Sequence, residues 1–140
     1  MAKSDSDPVG LPAPMVLAMV ICDHVWQDPA TGKQTLLGCF EEIHANDFPV
    51  ELPRVAVYVE MTGGRGEVAL ALEITETDEE TVVFRQDAEV EFSDPRAVRT
   101  IAFDLVDVEI PKPGEYNFDL YAGGIFVMAR RMLFVATSSE

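Results

Sequence analysis

Short stretches of alternating apolar and polar residues recur along almost the whole chain, and they restrict its fold more than any other feature. A period of two places successive side chains on opposite faces of a β-strand. Turn sequences separate these stretches at intervals of about 10 to 15 residues, and no segment has the 3.6-residue period of a long helix. The clearest stretch, residues 54–61, places on one face Val55, Val57, Val59 and Met61. The sequence therefore predicts an all-β fold.

A chain of 140 residues is long enough for one domain with its own hydrophobic core. Eight or nine short strands without a crossover helix are most easily arranged as two packed sheets. We predict a single two-sheet antiparallel β-sandwich of immunoglobulin-like or Greek-key type over residues 15–137. Residues 1–14, MAKSDSDPVGLPAP, are polar, proline-rich and acidic, and they are predicted to form a disordered N-terminal arm.

The clearest hairpin covers residues 15–40 and contains both cysteines of the chain. The strand MVLAMVICDHVW leads into the turn DPATGK, and QTLLGCF returns from it. Counting outward from the turn places Cys22 opposite Cys39, and His24 shares the face of Cys22. A cross-strand disulfide is geometrically possible, but in a reducing compartment free thiols are expected.

The same hairpin suggests a metal site as the first alternative function. Thiolate, imidazole and carboxylate groups are zinc ligands, and the hairpin would bring together Cys22, His24, Cys39 and Glu41. This spacing on paired strands is not a usual zinc pattern, and free cysteines more often pack as small buried side chains. A zinc- or thiol-dependent protein is therefore kept as an alternative, while core packing is the preferred interpretation and no cofactor is predicted.

Other signals of catalysis are weak. Ser93 is the only serine between positions 7 and 137, and no Gly-x-Ser-x-Gly motif is present. The glycines of residues 62–66 join two strands instead of preceding a helix, as a phosphate-binding loop would. We therefore predict a protein that is not an enzyme.

The second alternative is a ligand- or calcium-binding sandwich that uses its end loops. These loops are residues 41–53, 62–66 and 76–80. The last of them is rich in carboxylates, yet it lacks the ordered ligand spacing of an EF-hand, and charged turns are usually only solvated.

The charge of the chain excludes other partners. Its 25 acidic and 10 basic residues give a formal net charge of −15, which repels nucleic acid and anionic membranes. The apolar run of residues 15–22 is too short to span a bilayer, and the first residues do not resemble a signal peptide. We predict a cytoplasmic protein that binds neither nucleic acid nor membrane.

The first and last strands are apolar on both faces, unlike the strands between them. A sandwich strand normally exposes one face to solvent, so the second apolar face of these strands must be covered by another segment or another chain. Surfaces rich in Met and aromatic residues suit partner binding. We predict an interaction or assembly module that forms a homo-oligomer or binds a protein partner. Arg130 and Arg131 interrupt the last strand, and at least one of them should be partly buried beside a carboxylate. The predicted contact residues are Met15, Leu17, Met19, Phe126, Met128, Met132 and Phe134.

Four residues are predicted to have structural roles. Gly32 lies in the first turn, and Asp23 is the acidic residue within the apolar strand. The segment from Pro113 to Phe118 includes Gly114 and Tyr116 and resembles a tyrosine corner, in which the hydroxyl bonds to the backbone upstream. The simpler interpretation is that Tyr116 is a core aromatic beside a turn.

Several short motifs resemble a family of small uncharacterised bacterial proteins, classed as a domain of unknown function. The family pattern has an aromatic residue where this chain has His24, and Cys39 is not part of the pattern, which weakens the zinc alternative. The resemblance implies a small all-β protein with this strand register and no assigned activity. The matching motifs are Cys22-Asp23, Gly32-Lys33, Leu37-Gly38 with Phe40, Phe48-Pro49 and Pro113-Gly114-Glu115-Tyr116.

Overall fold

The computed structural model describes residues 13–137, and these residues form strands and turns without a helix. The predicted all-β class is confirmed. The predicted N-terminal arm lies almost wholly outside the described residues, since only Ala13 and Pro14 of it precede the first strand. In chain order the strands are β1 (Met15–Gln27), β2 (Gln34–Cys39), β3 (Glu42–Ala45), β4 (Val50–Leu52), β5 (Val55–Thr62), β6 (Gly66–Glu76), β7 (Thr81–Phe92), β8 (Val98–Leu105), β9 (Val108–Ile110), β10 (Gly114–Ala122) and β11 (Ile125–Ala136).

The strands form two main sheets that pack face to face. The first sheet has the order β2-β1-β5-β8, the second has the order β3-β11-β10-β6-β7, and β4 pairs with β9 in a small third sheet. Alternate residues of both main sheets meet in one continuous core, including Val57 and Phe103 from the first sheet and Leu72 and Phe118 from the second. The architecture is that of an immunoglobulin-like β-sandwich.

The strand count and one pairing differ from the prediction. Residues 13–137 form eleven strands, more than the predicted eight or nine, because β3, β4 and β9 have only four, three and three residues, too few to show an alternation. Asp107, with a φ of 59°, separates β8 from β9. The sheets are not wholly antiparallel, because β3 runs parallel to β11.

The hairpin of β1 and β2 has the predicted register, in which Cys22 is paired with Cys39. Only the second half of β1 is covered by β2, whereas β5 pairs with the first half, from Met15 to Cys22. After Phe40 the chain leaves the first sheet and enters the second as β3, which pairs only with the last four residues of β11, from Leu133. As a result, the first halves of β1 and β11 each have one edge without a neighbouring strand among residues 13–137.

Arg130 joins the two sheets at this edge. Its guanidinium donates a hydrogen bond to the carbonyl oxygen of Met19 and lies 3.8 Å from the carboxylate of Glu41. Arg131 points the other way, to the outer face, where it is 4.0 Å from Glu115. The structure therefore has the partly buried arginine that the sequence predicts, and a carboxylate accompanies it.

Tyr116 ties the start of β10 to the preceding turn. Its side chain is fully buried, and its hydroxyl donates a hydrogen bond of 2.7 Å to the carbonyl oxygen of Lys112, which is the contact of a tyrosine corner. Its ring meets that of Phe134 edge to face at 5.2 Å. Lys112 in turn pairs with the buried Glu76 at 3.2 Å. Gly114, with a φ of 144°, begins the strand.

We expect Tyr116→Phe to lower the free energy of unfolding by about 0.5 to 1.5 kcal/mol, because it removes the hydrogen bond to the Lys112 carbonyl while keeping the aromatic packing. Chemical denaturation of the wild type and the variant measures the loss. Tyr121→Phe is the matched control, since the Tyr121 hydroxyl has no hydrogen bond to any described residue and should cost little. Equal losses in the two variants would contradict a specific role for the Tyr116 hydroxyl.

Candidate functional site

The structure places the predicted contact residues in three different environments. Met15 (63% exposed), Leu17 (48%) and Phe126 (54%) lie on the surface. Met128 is partly buried against the core. The other three are core residues and are not available to a partner, namely Met19, Met132 and Phe134.

Two β-bulges explain this separation. The pairing of β1 with β5 shifts between Val16 and Ala18, so Leu17 falls at the irregularity while Met19 faces the core opposite Val59. The pairing of β10 with β11 shifts where Val127 is skipped, so Phe126 and Met128 do not lie on the same face. A bulge adds one residue to a strand and reverses the alternation beyond it. The sequence prediction assumed an unbroken alternation along each strand, and it therefore grouped surface residues with core residues.

Five large apolar side chains are exposed at one end of the sandwich, which we call the apolar end: Met15, Leu17, Val98, Ile125 and Phe126. Thr62, the last residue of β5, pairs with both Met15 and Val98. The adjoining turn of β5 and β6 leads into β6, where the Ala69 carbonyl accepts a hydrogen bond from Gly123 in the turn before Ile125. The starts of β1, β8 and β11 thus lie at the same end of the fold.

The unpaired edges near the apolar end are protected against the addition of a strand. On the open edge of β1 the Met19 carbonyl already accepts a hydrogen bond from Arg130. Each of the two open-edged strands also has a bulge, at Leu17 in β1 and at Val127 in β11. Inward-pointing charges and bulges are devices that prevent edge-to-edge pairing. A partner at this end would therefore contact side chains rather than extend a sheet.

A groove crosses the outer face of the second sheet next to the apolar end. Its lining residues include Ala69, Ala71, Arg85 and Tyr121. The ring of Tyr121 meets that of Phe126 at 5.9 Å, so the groove and the apolar end are adjacent.

The charges of this groove are largely internal pairs. Arg85 lies 2.8 Å from Glu73 and 3.0 Å from Asp87, and these carboxylates raise the pKa of its guanidinium. Burial raises the pKa of the neighbouring Asp119, although a hydrogen bond with Thr75 opposes the rise. Acidic groups outnumber the single arginine, so the groove does not favour an anionic ligand.

The first alternative, a zinc site, has no support in the structure. Among residues 13–137 no group of three or more His, Cys, Asp and Glu side chains is placed to hold a metal ion. Cys22 and Cys39 are opposite each other, and both thiols are free. Glu41, however, lies beyond the point where the chain leaves the first sheet and approaches Arg130 instead. Alternation within one hairpin could not indicate that departure.

The second alternative, calcium bound by the acidic turn, has no support either. Lys112 supplies the positive charge in this region, since its ammonium lies 3.2 Å from Glu76 and 3.0 Å from Glu79. These two carboxylates raise the pKa of Lys112, Glu79 more than Glu76. The absence of a metal-binding group among the described residues also covers the loops at 41–53 and 62–66.

Asp23 and Gly38 form a close contact that the sequence did not suggest. Gly38 has a φ of 71°, and a Cβ atom at this position would lie 2.9 Å from the Asp23 Cγ and nearer still to Oδ2. Only glycine avoids both the strained backbone and the collision. Gly32 also has a positive φ, of 76°, and its N–H donates to the Asp28 carbonyl at 2.8 Å within the first turn. Asp23, Gly32 and Gly38 therefore shape the hairpin.

The fold defines the protein as an immunoglobulin-like β-sandwich domain. The chain belongs to the family of unknown function DUF6941, whose model matches residues 17–135. No curated protein matches the sequence. None of the described residues lies in a helix of the length and hydropathy needed to cross a bilayer.

Among solved structures, the C-terminal domain of wzt is similar in fold, with a TM-score of 0.52 and 12% identity over 94% of this chain and 77% of that chain. The CARDB domain of the PF1109 protein from Pyrococcus furiosus, solved with di-metal ions, aligns with a TM-score of 0.42 and 12% identity over 94% of this chain and 99% of that chain. At 12% identity the likeness to the wzt domain concerns the fold alone.

We expect Gly38→Ala to destabilise the protein more than Gly123→Ala. Both residues have positive φ, 71° and 59°, but nothing lies within 4 Å of a Cβ at Gly123. The left-handed conformation should cost each variant about 1 to 2 kcal/mol, and the collision with Asp23 adds to the loss at Gly38 only. Denaturant unfolding measures the stability of both variants. The double variant Asp23→Ala/Gly38→Ala should recover part of the stability that Gly38→Ala loses. No recovery would argue against the contact.

Tyr58, on the outer face of the first sheet, is expected to lose its proton at a higher pH than an ordinary tyrosine. Burial and its hydrogen bond to Glu60 raise its pKa to about 12 from 10. Because the folded state holds this proton longer than the unfolded state, its contribution to stability is lost as the pH rises from 10 to 12. Glu60→Gln should lower the pKa towards 10, though not completely, since burial remains. Tyrosinate absorbance, compared with Tyr58→Phe, measures this, and an ordinary pKa in the wild type would contradict it.

Proposed function

We propose that the protein is a non-catalytic interaction module that associates with a second copy of itself through the apolar end. The observation that carries this proposal is that five large apolar side chains are exposed at one end of the sandwich, two of which are Met15 at 63% and Phe126 at 54%. Apolar side chains scattered singly over a surface are ordinary, whereas several at the same end of a fold can meet one partner.

The other large apolar residues that are exposed among residues 13–137 lie away from the apolar end. Trp26 and Leu37 lie on the first hairpin, Val82 lies on β7, and Val106 follows β8 at the end opposite Val98. Burying a Leu, Phe or Met side chain contributes about 1.5 to 3 kcal/mol. Several such residues meeting their copies would supply enough favourable free energy for a symmetric contact.

The net charge of −15 opposes this association. Two copies repel each other at long range, and the apolar contact has to exceed this repulsion. Salt screens the repulsion without weakening apolar burial, so added sodium chloride should strengthen the association. An association held by ion pairs would weaken instead, which distinguishes the two kinds of interface.

Light scattering after size exclusion tests the proposal. We expect the wild type to be larger than a monomer, with a fraction that grows with protein and salt concentration. Phe126→Glu and Leu17→Glu should each give a monomer, because a carboxylate would be buried without a partner. Val106→Glu is the matched control, since Val106 is equally exposed (55%) but lies at the opposite end of β8. A monomeric wild type at every concentration, or a monomeric Val106→Glu, would overturn the proposal.

A further inference from the structure

The two cysteines of the chain lie directly opposite each other on neighbouring strands, Cys22 on β1 and Cys39 on β2. Directly opposed residues in an antiparallel pair have Cα atoms about 4.5 to 5.5 Å apart, within the range of about 4.4 to 6.8 Å that a disulfide bridges. Both thiols are free in the structure. A bond between them would not require either strand to leave its sheet.

The two thiols differ in their access to solvent. Cys39 is exposed, on the edge strand β2, whereas Cys22 is completely buried between its two partners, Cys39 and Ala56. The Cys22 thiol donates a weak hydrogen bond to the His24 carbonyl oxygen at 3.6 Å. Burial raises the pKa of the Cys22 thiol, and the nearby Cys39 raises it further by a smaller amount. An external reagent can therefore reach Cys39 and not Cys22.

We propose that Cys39 and Cys22 form a reversible redox pair, in which a small-molecule disulfide oxidises Cys39 first and Cys22 then closes a cross-strand disulfide. This inference does not depend on the proposed self-association, because it concerns the first hairpin and not the apolar end.

The reaction consists of two thiol–disulfide exchanges. The Cys39 thiolate attacks one sulfur of the small disulfide, breaks its S–S bond and releases one small thiol, leaving a mixed disulfide on Cys39. Cys22 then loses its proton to solvent, and its sulfur attacks the Cys39 Sγ and releases the second small thiol. In total the two protein thiols lose two electrons and two protons, and the small disulfide gains them as two thiols.

The fold favours the second step over other fates of the mixed disulfide. Cys22 is held in register by β5 on one side and β2 on the other, so the attacking sulfur is already beside its target. An intramolecular step of this kind has a large effective concentration. The product would also fasten the edge strand β2, whose only strand neighbour among the described residues is β1.

Oxidised glutathione is the probe for the test. After incubation, the remaining thiols are trapped and the intact mass is measured. We expect that the wild type has lost both thiols, retains no glutathione and contains no disulfide between two chains. Dithiothreitol should restore both thiols. Hydrogen exchange in β2 should become slower in the oxidised protein, and the thermal midpoint should rise.

Single variants separate the two roles. Cys22→Ser should accumulate glutathione on Cys39, whereas Cys39→Ser should leave Cys22 unmodified in the folded protein. If Cys22→Ser does not fold, Cys22→Ala replaces it in the test, because alanine is a small apolar substitute for a buried thiol. A wild type that stops at the mixed disulfide, that forms disulfide-linked dimers, or in which Cys22 reacts as fast as Cys39 would overturn the proposal.

Discussion

The structure depends on the way in which β1 is shared between two neighbours. Its first half pairs with β5 and its second half with β2, and the two pairings overlap only at Cys22. Because β2 stops there, the chain can cross to the second sheet at Phe40 and join β11 as β3. Backbone hydrogen bonds must be satisfied wherever the backbone is buried, so this crossing decides which halves of β1 and β11 keep an open edge. Arg130 links the two sheets at this place through its hydrogen bond to the Met19 carbonyl.

Both proposals follow from this arrangement, although at different places. The halves of β1 and β11 that β2 and β3 do not cover lead to the apolar end, where Met15 and Phe126 are among the exposed residues. The point at which β1 gains both neighbours holds the cysteine pair, with one thiol buried and the other accessible. A contact surface and a redox-sensitive hairpin can therefore occur in one small domain without sharing a residue.

Much of the fold could be predicted from local pattern. The alternation of residues 54–61 indicated β5, and the turn around Gly32 set the register that pairs Cys22 with Cys39. The motif around Tyr116 indicated a hydrogen bond from its hydroxyl to the backbone upstream, and in the structure the acceptor is Lys112. The contact residues were harder to predict, because Met19 and Leu17 look equivalent until a bulge is known. Nothing in the sequence marked the Asp23–Gly38 contact except the glycine itself.

The sequence by itself determined the all-β class, the register of the first hairpin and the residues that its turn requires, because alternation and turn chemistry act over a few neighbouring positions. The tertiary structure decided which apolar residues remain outside, where Glu41 goes after it leaves the first hairpin, and how β3 comes to lie parallel to β11. These outcomes depend on how two sheets pack and where a strand bulges. They arise between segments distant in the chain, whose separate patterns contain no information about their contact.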